Sequence, residues 1–163
     1  MKSFKAKETA TGGIIAALYI LLTMLSSLFG LSSGMVQVRF SEMLTILPVF
    51  FPAAVPGLFV GCLLANLLTG AALWDVVFGA VATLLGAVGT RLLRKNRYLS
   101  CVPPILANTL IVPLVLIKVY GLSAAYPFLM LTVFIGEFIS CGLLGQILYD
   151  VLRRTKIGKG TEE

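Results

Sequence analysis

No histidine occurs among the 163 residues. That removes imidazole from every role at once: no Ser/His nucleophilic set, no histidine proton relay, no histidine metal ligand. Cysteine is nearly as scarce. Cys62, Cys101 and Cys141 stand far apart, and no two form a CxxC or a metal-ligand spacing. They read as small apolar packing residues. Charge is thin as well, with only seven acidic residues, and no two carboxylates stand one helical turn apart to make a proton-translocating pair. No GxxxxGK[ST], HExxH or GxSxG is present. The chain therefore has no nucleotide-phosphate loop, zinc-protease helix or nucleophile elbow of its own. Without a nucleophile–base set an enzyme has no support, and no cofactor or metal is expected.

Apolar side chains fill the space that polar ones leave. They make up 58% of the residues, and the mean hydropathy is +1.00. A soluble domain of this length cannot cover so much apolar surface, so the expected class is an all-α integral membrane protein, a single domain over 1–163. The first apolar run, Thr11 to Gly30, has about the roughly 20 residues that cross a hydrocarbon core. It is too long for a signal-peptide core and shows no small-residue cleavage site, so it is expected to stay in the mature protein.

Hydrophobic runs and Gly/Pro punctuation predict six helices, at about 11–30, 41–51, 56–69, 74–93, 103–119 and 127–152. Ser32, Ser33 and Gly34 break the first helix, and Val36–Ser41 alternates apolar with polar residues. Pro48, Pro52 and Pro56 punctuate the next run. The second and third helices are short. At 1.5 Å per residue the helix over 56–69 rises about 21 Å, less than a core of roughly 30 Å. The two are either separate crossings, one fused span, or a re-entrant pair.

Charge decides part of this. Eleven of the thirteen basic residues fall in three clusters: Lys2, Lys5 and Lys7; Arg91, Arg94, Lys95 and Arg97; Arg153, Arg154, Lys156 and Lys159. The positive-inside rule puts all three in the cytoplasm. An even number of crossings must then separate the first two, which excludes the fused span. The expectation is a six-transmembrane-helix bundle with both termini cytoplasmic. The net charge of +6 then reflects orientation and attraction to anionic lipid, not nucleic-acid binding.

This topology sorts the polar residues. The outward connections are 31–40, 70–73 and 120–126. Arg39, Glu42, Asn66, Trp74, Asp75, Lys118, Tyr120 and Tyr126 lie near them. Glu137, ten residues into the last helix, lies about 15 Å deep. A carboxylate there is costly unless paired or solvated. Either it accepts from a ligand, or Arg39 or Lys118 partners it. Glu42, one turn past Arg39, has the same two readings. Asp75 is a pocket residue or a helix N-terminal acid at the positive dipole end; Trp74 is a pocket wall or part of an aromatic belt. Asn66 and Asn108 bond ligand or neighbouring helices. Gln146 and Asp150 read as structural. The expected substrate-binding set is Glu137, Glu42, Arg39, Asn66, Trp74, Asp75 and Asn108. A carboxylate accepts adjacent N–H donors in bidentate fashion, and rings such as Phe40, Trp74 or Tyr126 stack on a flat bicycle, so a purine-like ligand is compatible. Gly12/Ala16 and Gly13/Ala17 form two overlapping small-xxx-small pairs, a surface either for another chain or for packing within this one.

The linked segments VQVRFSEMLTILPVFFPAAVPGLFVGCLLANLL and WDVVFGAVATLLGA resemble the QueT family, substrate-binding (S) components of energy-coupling-factor (ECF) transporters for queuosine precursors. The resemblance runs from the Gly12–Ala17 region to the last helix. It implies a six-helix bundle in the bacterial cell membrane that captures a 7-deazaguanine outside. Partners are implied too: a transmembrane scaffold and two ATPase subunits. The scaffold would dock on the small residues Gly12, Gly13, Ala16 and Ala17, and the loop over 31–40 would act as a lid. The runner-up is a stand-alone secondary carrier or channel with an ion path through Glu42, Asp75 and Glu137; the absence of repeated halves weighs against it.

Overall fold

The computed structural model describes residues 2–31, 36–121 and 123–155. Ser32, Ser33, Gly34, Lys156 and Lys159 lie outside the described residues. Six helical segments form a bundle: α1 (Lys2–Leu28), a 3₁₀ helix (Phe40–Val49), α2 (Ala54–Leu68), α3 (Leu73–Leu92), α4 (Val102–Lys118), and a last helix running as α5 (Tyr126–Glu137), a π-helical stretch (Phe138–Leu144) and α6 (Gly145–Arg154). Four of the six are long and apolar enough to cross a membrane; Phe40–Val49 and Ala54–Leu68 are shorter. Large apolar side chains such as Ile14, Leu21, Leu28, Leu92 and Ile147 point outward. With backbone groups satisfied inside helices, that is the surface a lipid-embedded bundle requires.

Several boundaries differ from the sequence expectation for local reasons. α1 begins at Lys2 rather than near Thr11. Its first turns are polar but helix-competent, and the Thr9 and Thr11 hydroxyls each donate 2.9 Å back to carbonyls one turn earlier. The helix stops at Gly30, whose φ of +68° suits a residue without Cβ, while the Leu31 N–H reaches back to the Ser26 carbonyl at 2.9 Å. These are the marks of a Schellman cap.

The second helix is the larger departure. An α-helix over 41–51 is expected; a ten-residue 3₁₀ helix is found. Such helices seldom exceed one or two turns. The tighter winding has a geometric consequence. At about 2.0 Å per residue ten residues reach about 20 Å, against about 15 Å as α-helix. Its exit is held from outside: Arg91 of α3 donates to the carbonyls of Pro48 at 2.9 Å and Val49 at 3.1 Å.

The direction of each segment follows from its neighbours. Gly12 meets Gly57 and Ala16 meets Gly61, so α1 and α2 run the same way. Thr23 bonds Ser41, and Phe40 bonds Ser26, so the 3₁₀ helix runs against α1. Thr90 bonds Ser100, at the α3–α4 turn. Arg91, Arg97 and Arg153 therefore share one end of the bundle with the start of α1, as the alternation of six segments demands. Arg97 closes that basic end, donating 2.7 Å to both Gln146 Oε1 and Asp150 Oδ2 and lying 5.2 Å from the Tyr98 and Tyr149 ring centres. The structural reading of Gln146 and Asp150 holds.

The two small-xxx-small pairs on α1 part company. Ala16 is buried, and Gly12 and Ala16 are spent on α2: a Cβ on Gly57 would fall 2.6 Å from the Gly12 carbonyl oxygen, and one on Gly61 3.0 Å from the Ala16 Cα. Gly13 and Ala17 are exposed, with nothing within 4 Å of a Cβ on Gly13. Of the two uses left open for these pairs, Gly12 and Ala16 show packing within the chain. Gly61→Val is expected to destabilise the bundle by about 1–3 kcal/mol through overpacking, seen as a lower melting temperature in detergent, whereas Gly13→Val leaves the melting temperature unchanged.

Candidate functional site

The buried carboxylates Glu42 and Glu137 and the polar side chains bonded to them form a connected cluster away from the basic end. Glu42 lies in the first turn of the 3₁₀ helix and is 2% exposed; Glu137 ends α5 and is 7% exposed. The Tyr19 hydroxyl of α1 donates to Glu42 Oε1. Asn108 Nδ2 of α4 lies 3.5 Å from Glu42 Oε2 and also faces Glu137. The Cys141 thiol lies 3.2 Å from Glu137 Oε2 and 3.4 Å from the Glu42 carbonyl, and it receives the Thr45 hydroxyl at 3.4 Å. Four separate segments thus meet on two carboxylates.

The local sequence explains how. Glu137 and Cys141 are four apart, one turn along the same helix face. The π-helical stretch starts at Phe138, and widened turns of this kind recur at functional sites. Glu42 and Thr45 are three apart, and in a 3₁₀ helix i and i+3 eclipse, so both meet the Cys141 side. Facing ligand atoms of Glu42, Glu137 and Cys141 lie within 4.8 Å of one another. That spacing could enclose a cation or a small polar group, but Tyr19, Asn108 and Thr45 already engage these residues.

The alternative partners considered for the carboxylates do not pair with them. Among the described residues neither Glu42 nor Glu137 has a Lys or Arg nitrogen within 4.0 Å. Lys118 is exposed. Arg39 is half-buried, donates to Gln37 Oε1 at 3.3 Å, and acts on Glu42, Asp75 and Glu137 through space only.

Other predicted site residues extend the cluster. Asn66 is 3% exposed, and its amide reaches Cys62 Sγ at 3.6 Å; Cys62 lies beside Tyr19. Asp75 sits in the first turn of α3, buried, and accepts the Tyr120 hydroxyl at 3.0 Å. Tyr120 stands outside the helices; burial and the adjacent Asp75 push its pKa up, so the phenol stays a donor. Trp74 does not join. It is 60% exposed and stacks on Phe78 with ring centres 5.8 Å apart. Tyr126 is turned to the Leu110 carbonyl at 3.0 Å.

Two participants were not singled out by sequence reasoning. Tyr19 sits in an apolar helix with nothing polar beside it, so only its partner reveals it. Cys141, read as a packing residue, also bridges both acids. Glu42 and Glu137 were both expected at the site, with Glu42 across the cavity from Glu137, although they come from segments 95 positions apart in sequence number.

A family model described as QueT transporter matches residues 9–154. The chain belongs to the QueT transporter family. Membership agrees with the lack of any enzyme signature. A curated relative, the Queuosine precursor transporter QueT of Lactococcus lactis subsp. cremoris (strain MG1363), is 37% identical over 86 residues, covering 52% of this chain and 50% of the relative. The match thus spans half the length of that relative. No solved structure matches this chain.

In this QueT-family chain the cluster carries its own stability signature. Tyr19→Phe removes a donor and leaves a buried carboxylate oxygen short of a partner, which costs about 1–3 kcal/mol. The melting temperature in detergent is expected to fall by several degrees, with Trp74→Ala as a near-neutral comparison.

Proposed function

We propose that this chain is the substrate-binding S component of an ECF-type importer, capturing a queuosine precursor of the 7-deazaguanine class from outside the cell. The observation that carries this reading is the pair of buried carboxylates, Glu42 and Glu137, with the Asn108 amide between them. Carboxylates and an amide are the acceptors and donor that the N–H edge of a guanine-like ring needs. The relative from Lactococcus lactis is named for a queuosine precursor. Basic residues gathered at one end support a cytoplasmic position for that end and for both termini, which puts the acid pair toward the outside. Glu137 accepts the ring N–H groups; Glu42 or Asp75 holds a cationic substituent where the ligand has one.

Energy has to come from partner chains, a transmembrane scaffold and two ATPase subunits, since this chain has no phosphate-binding loop. The exposed Gly13 and Ala17 are the surface for the scaffold. Gly13 lines a groove of about 570 Å³ between α1 and α2, together with Gly12, Ala16, Pro52, Pro56 and Val60, where another helix can approach closely.

Binding of 7-deazaguanines to the purified chain tests the site. Glu137→Gln and Glu42→Gln are each expected to weaken binding at least about tenfold, the cost of one charge-assisted hydrogen bond; unchanged tight binding in both would sink the assignment. Gly13→Leu combined with Ala17→Leu is expected to reduce co-purification with the scaffold without lowering ligand affinity. A second reading, a carrier working alone, draws on the closeness of the two acids. Uptake into liposomes holding this chain alone, with no ATP, would favour it instead.

A further inference from the structure

Glu42 and Glu137 stand close together, and the bundle offers little to offset two negative charges there. Their facing oxygens lie within 4.8 Å of each other and of Cys141 Sγ, and both residues are buried. Among the described residues no Lys or Arg nitrogen comes within 4.0 Å of either. Two carboxylates this near in an apolar interior repel, and such a pair keeps a proton rather than ionise twice.

The groups around the pair come from every neighbouring element. Tyr19 faces it from α1, Asn108 from α4 and Cys141 from the π-helical stretch. Cys62 of α2 is within electrostatic reach of Glu42. Arg39 is the cation that acts on both acids, and it acts on Asp75 of α3 as well. Other charged groups are occupied at the basic end or face outward: Arg91 binds the end of the 3₁₀ helix, Asp150 binds Arg97, and Lys118, Arg153 and Arg154 are exposed. One guanidinium therefore serves three carboxylates, which leaves negative charge for a proton to offset.

The hydrogen bonds say where that proton rests. Glu42 has donors on both oxygens, the Tyr19 hydroxyl on Oε1 and the Asn108 amide 3.5 Å from Oε2, as a charged carboxylate needs. Glu137 Oε2 faces the Cys141 thiol at 3.2 Å, which is a weak donor and a weak acceptor. The thiol also lies 3.4 Å from the Glu42 carbonyl. With a proton on Glu137, its O–H donates to Sγ and the S–H turns to the Glu42 carbonyl. Without it, the S–H turns back to Glu137. Either arrangement satisfies both groups.

We propose that the empty protein holds one proton on this pair, at Glu137, and that a positive charge on a bound ligand takes its place. The cation lies against the two carboxylates and the proton passes to water, so the net buried charge is the same before and after. A neutral ligand leaves the proton where it is. The pair thereby tells cationic from neutral ligands, and does so more sharply as pH rises.

The exchange rests on the reading of this cluster as a binding site; the proton in the empty protein does not. Infrared spectroscopy of the ligand-free wild type at neutral pH is expected to show the C=O stretch of a neutral carboxyl group, which carboxylates lack, and Glu137→Gln is expected to remove it. No such stretch in the wild type, or one that persists in Glu137→Gln, overturns the proposal. Two probes test the exchange: 7-deazaguanine, which is neutral, and the same ring carrying an aminomethyl group, a cation at neutral pH. Calorimetry in buffers of different ionisation enthalpy counts the protons. The aminomethyl probe is expected to release about one proton and to bind about tenfold tighter per pH unit from about pH 5.5 to about 7; the neutral probe releases none and shows no such slope. Equal proton counts for the two probes overturn the proposal. The aminomethyl probe is also expected to abolish the carboxyl stretch of the wild type, so the result stands if Glu137→Gln fails to fold. Failure of both probes to bind overturns the exchange together with the site, whereas the stretch in the empty protein judges the proton by itself, so the two failures are told apart.

Discussion

Two carboxylates held inside an apolar bundle must have their oxygens satisfied by the bundle itself, and much of this fold is arranged around that need. Glu42 takes its donors from α1 and α4, and Glu137 takes one from Cys141, a turn further along its own helix. Each donor comes from a segment that must be placed to within a few tenths of an ångström. In lipid there is little hydrophobic drive to bring one helix against another, so interhelical hydrogen bonds and close small-residue packing decide the arrangement. The acid cluster supplies the first and the Gly12–Gly57 and Ala16–Gly61 approaches supply the second. Tyr19 belongs to both: its ring packs among Ile15, Leu58 and Cys62 in the core, and its hydroxyl ends at Glu42.

The two ends of the bundle are held in different ways. At the basic end Arg97 binds Gln146 and Asp150 and lies over two tyrosine rings, while Arg91 satisfies the last carbonyls of the 3₁₀ helix. These are charge-assisted contacts, roughly twice as strong as neutral ones. At the other end the connection over 37–40 is held by two backbone N–H donors and one backbone-to-backbone contact at Gly136. That connection is the one nearer Glu42, Asp75 and Tyr120, and the Tyr120 hydroxyl adds a charge-assisted bond to Asp75 at the same end.

How much of this could be read from residues alone depends on the kind of information each feature needs. Six apolar segments and, apart from the start of α1, their boundaries within a few residues follow from runs of Leu, Ile, Val and Phe interrupted by Gly and Pro, and that part is local. So is the buried state of Glu42, Asp75, Asn66, Asn108 and Glu137, since polar groups in such a chain have few places to go. Which of them meet is not local. Nothing near Tyr19 or Cys141 marks them as polar participants, and Trp74 was a candidate pocket wall for its ring and its place beside an outward connection. On a helix, neighbours in sequence face different directions: Asp75 turns inward to Tyr120 while Trp74 turns outward to Phe78. The register of the α1 contact was equally hidden, because Gly12/Ala16 and Gly13/Ala17 are the same pattern shifted by one residue, about 100° around the helix.

The least regular elements of the bundle are the one that carries Glu42 and the one that directly follows Glu137. A 3₁₀ helix of ten residues and a π-helical stretch of seven are both uncommon, and they lean in opposite senses, one overwound and one underwound. Overwinding stacks Thr45 over Glu42. Underwinding displaces the residues after Glu137 relative to a regular α-helix while keeping Cys141 against it. Were both segments α-helical, Thr45 would rotate away from Glu42 by about 60°, because three residues make a full turn at 3.0 per turn but only about 300° at 3.6. The Thr45–Cys141–Glu137 chain would then be broken at its first link. Local propensity alone does not call for either distortion: the segments mix good α-formers such as Leu and Met with poorer ones such as Thr45, Pro48 and Gly142, none of which selects an overwound or an underwound turn. The tertiary requirement to bring two carboxylates and their donors together is therefore the stronger term, and a winding that costs stability locally persists because it keeps the buried acids satisfied.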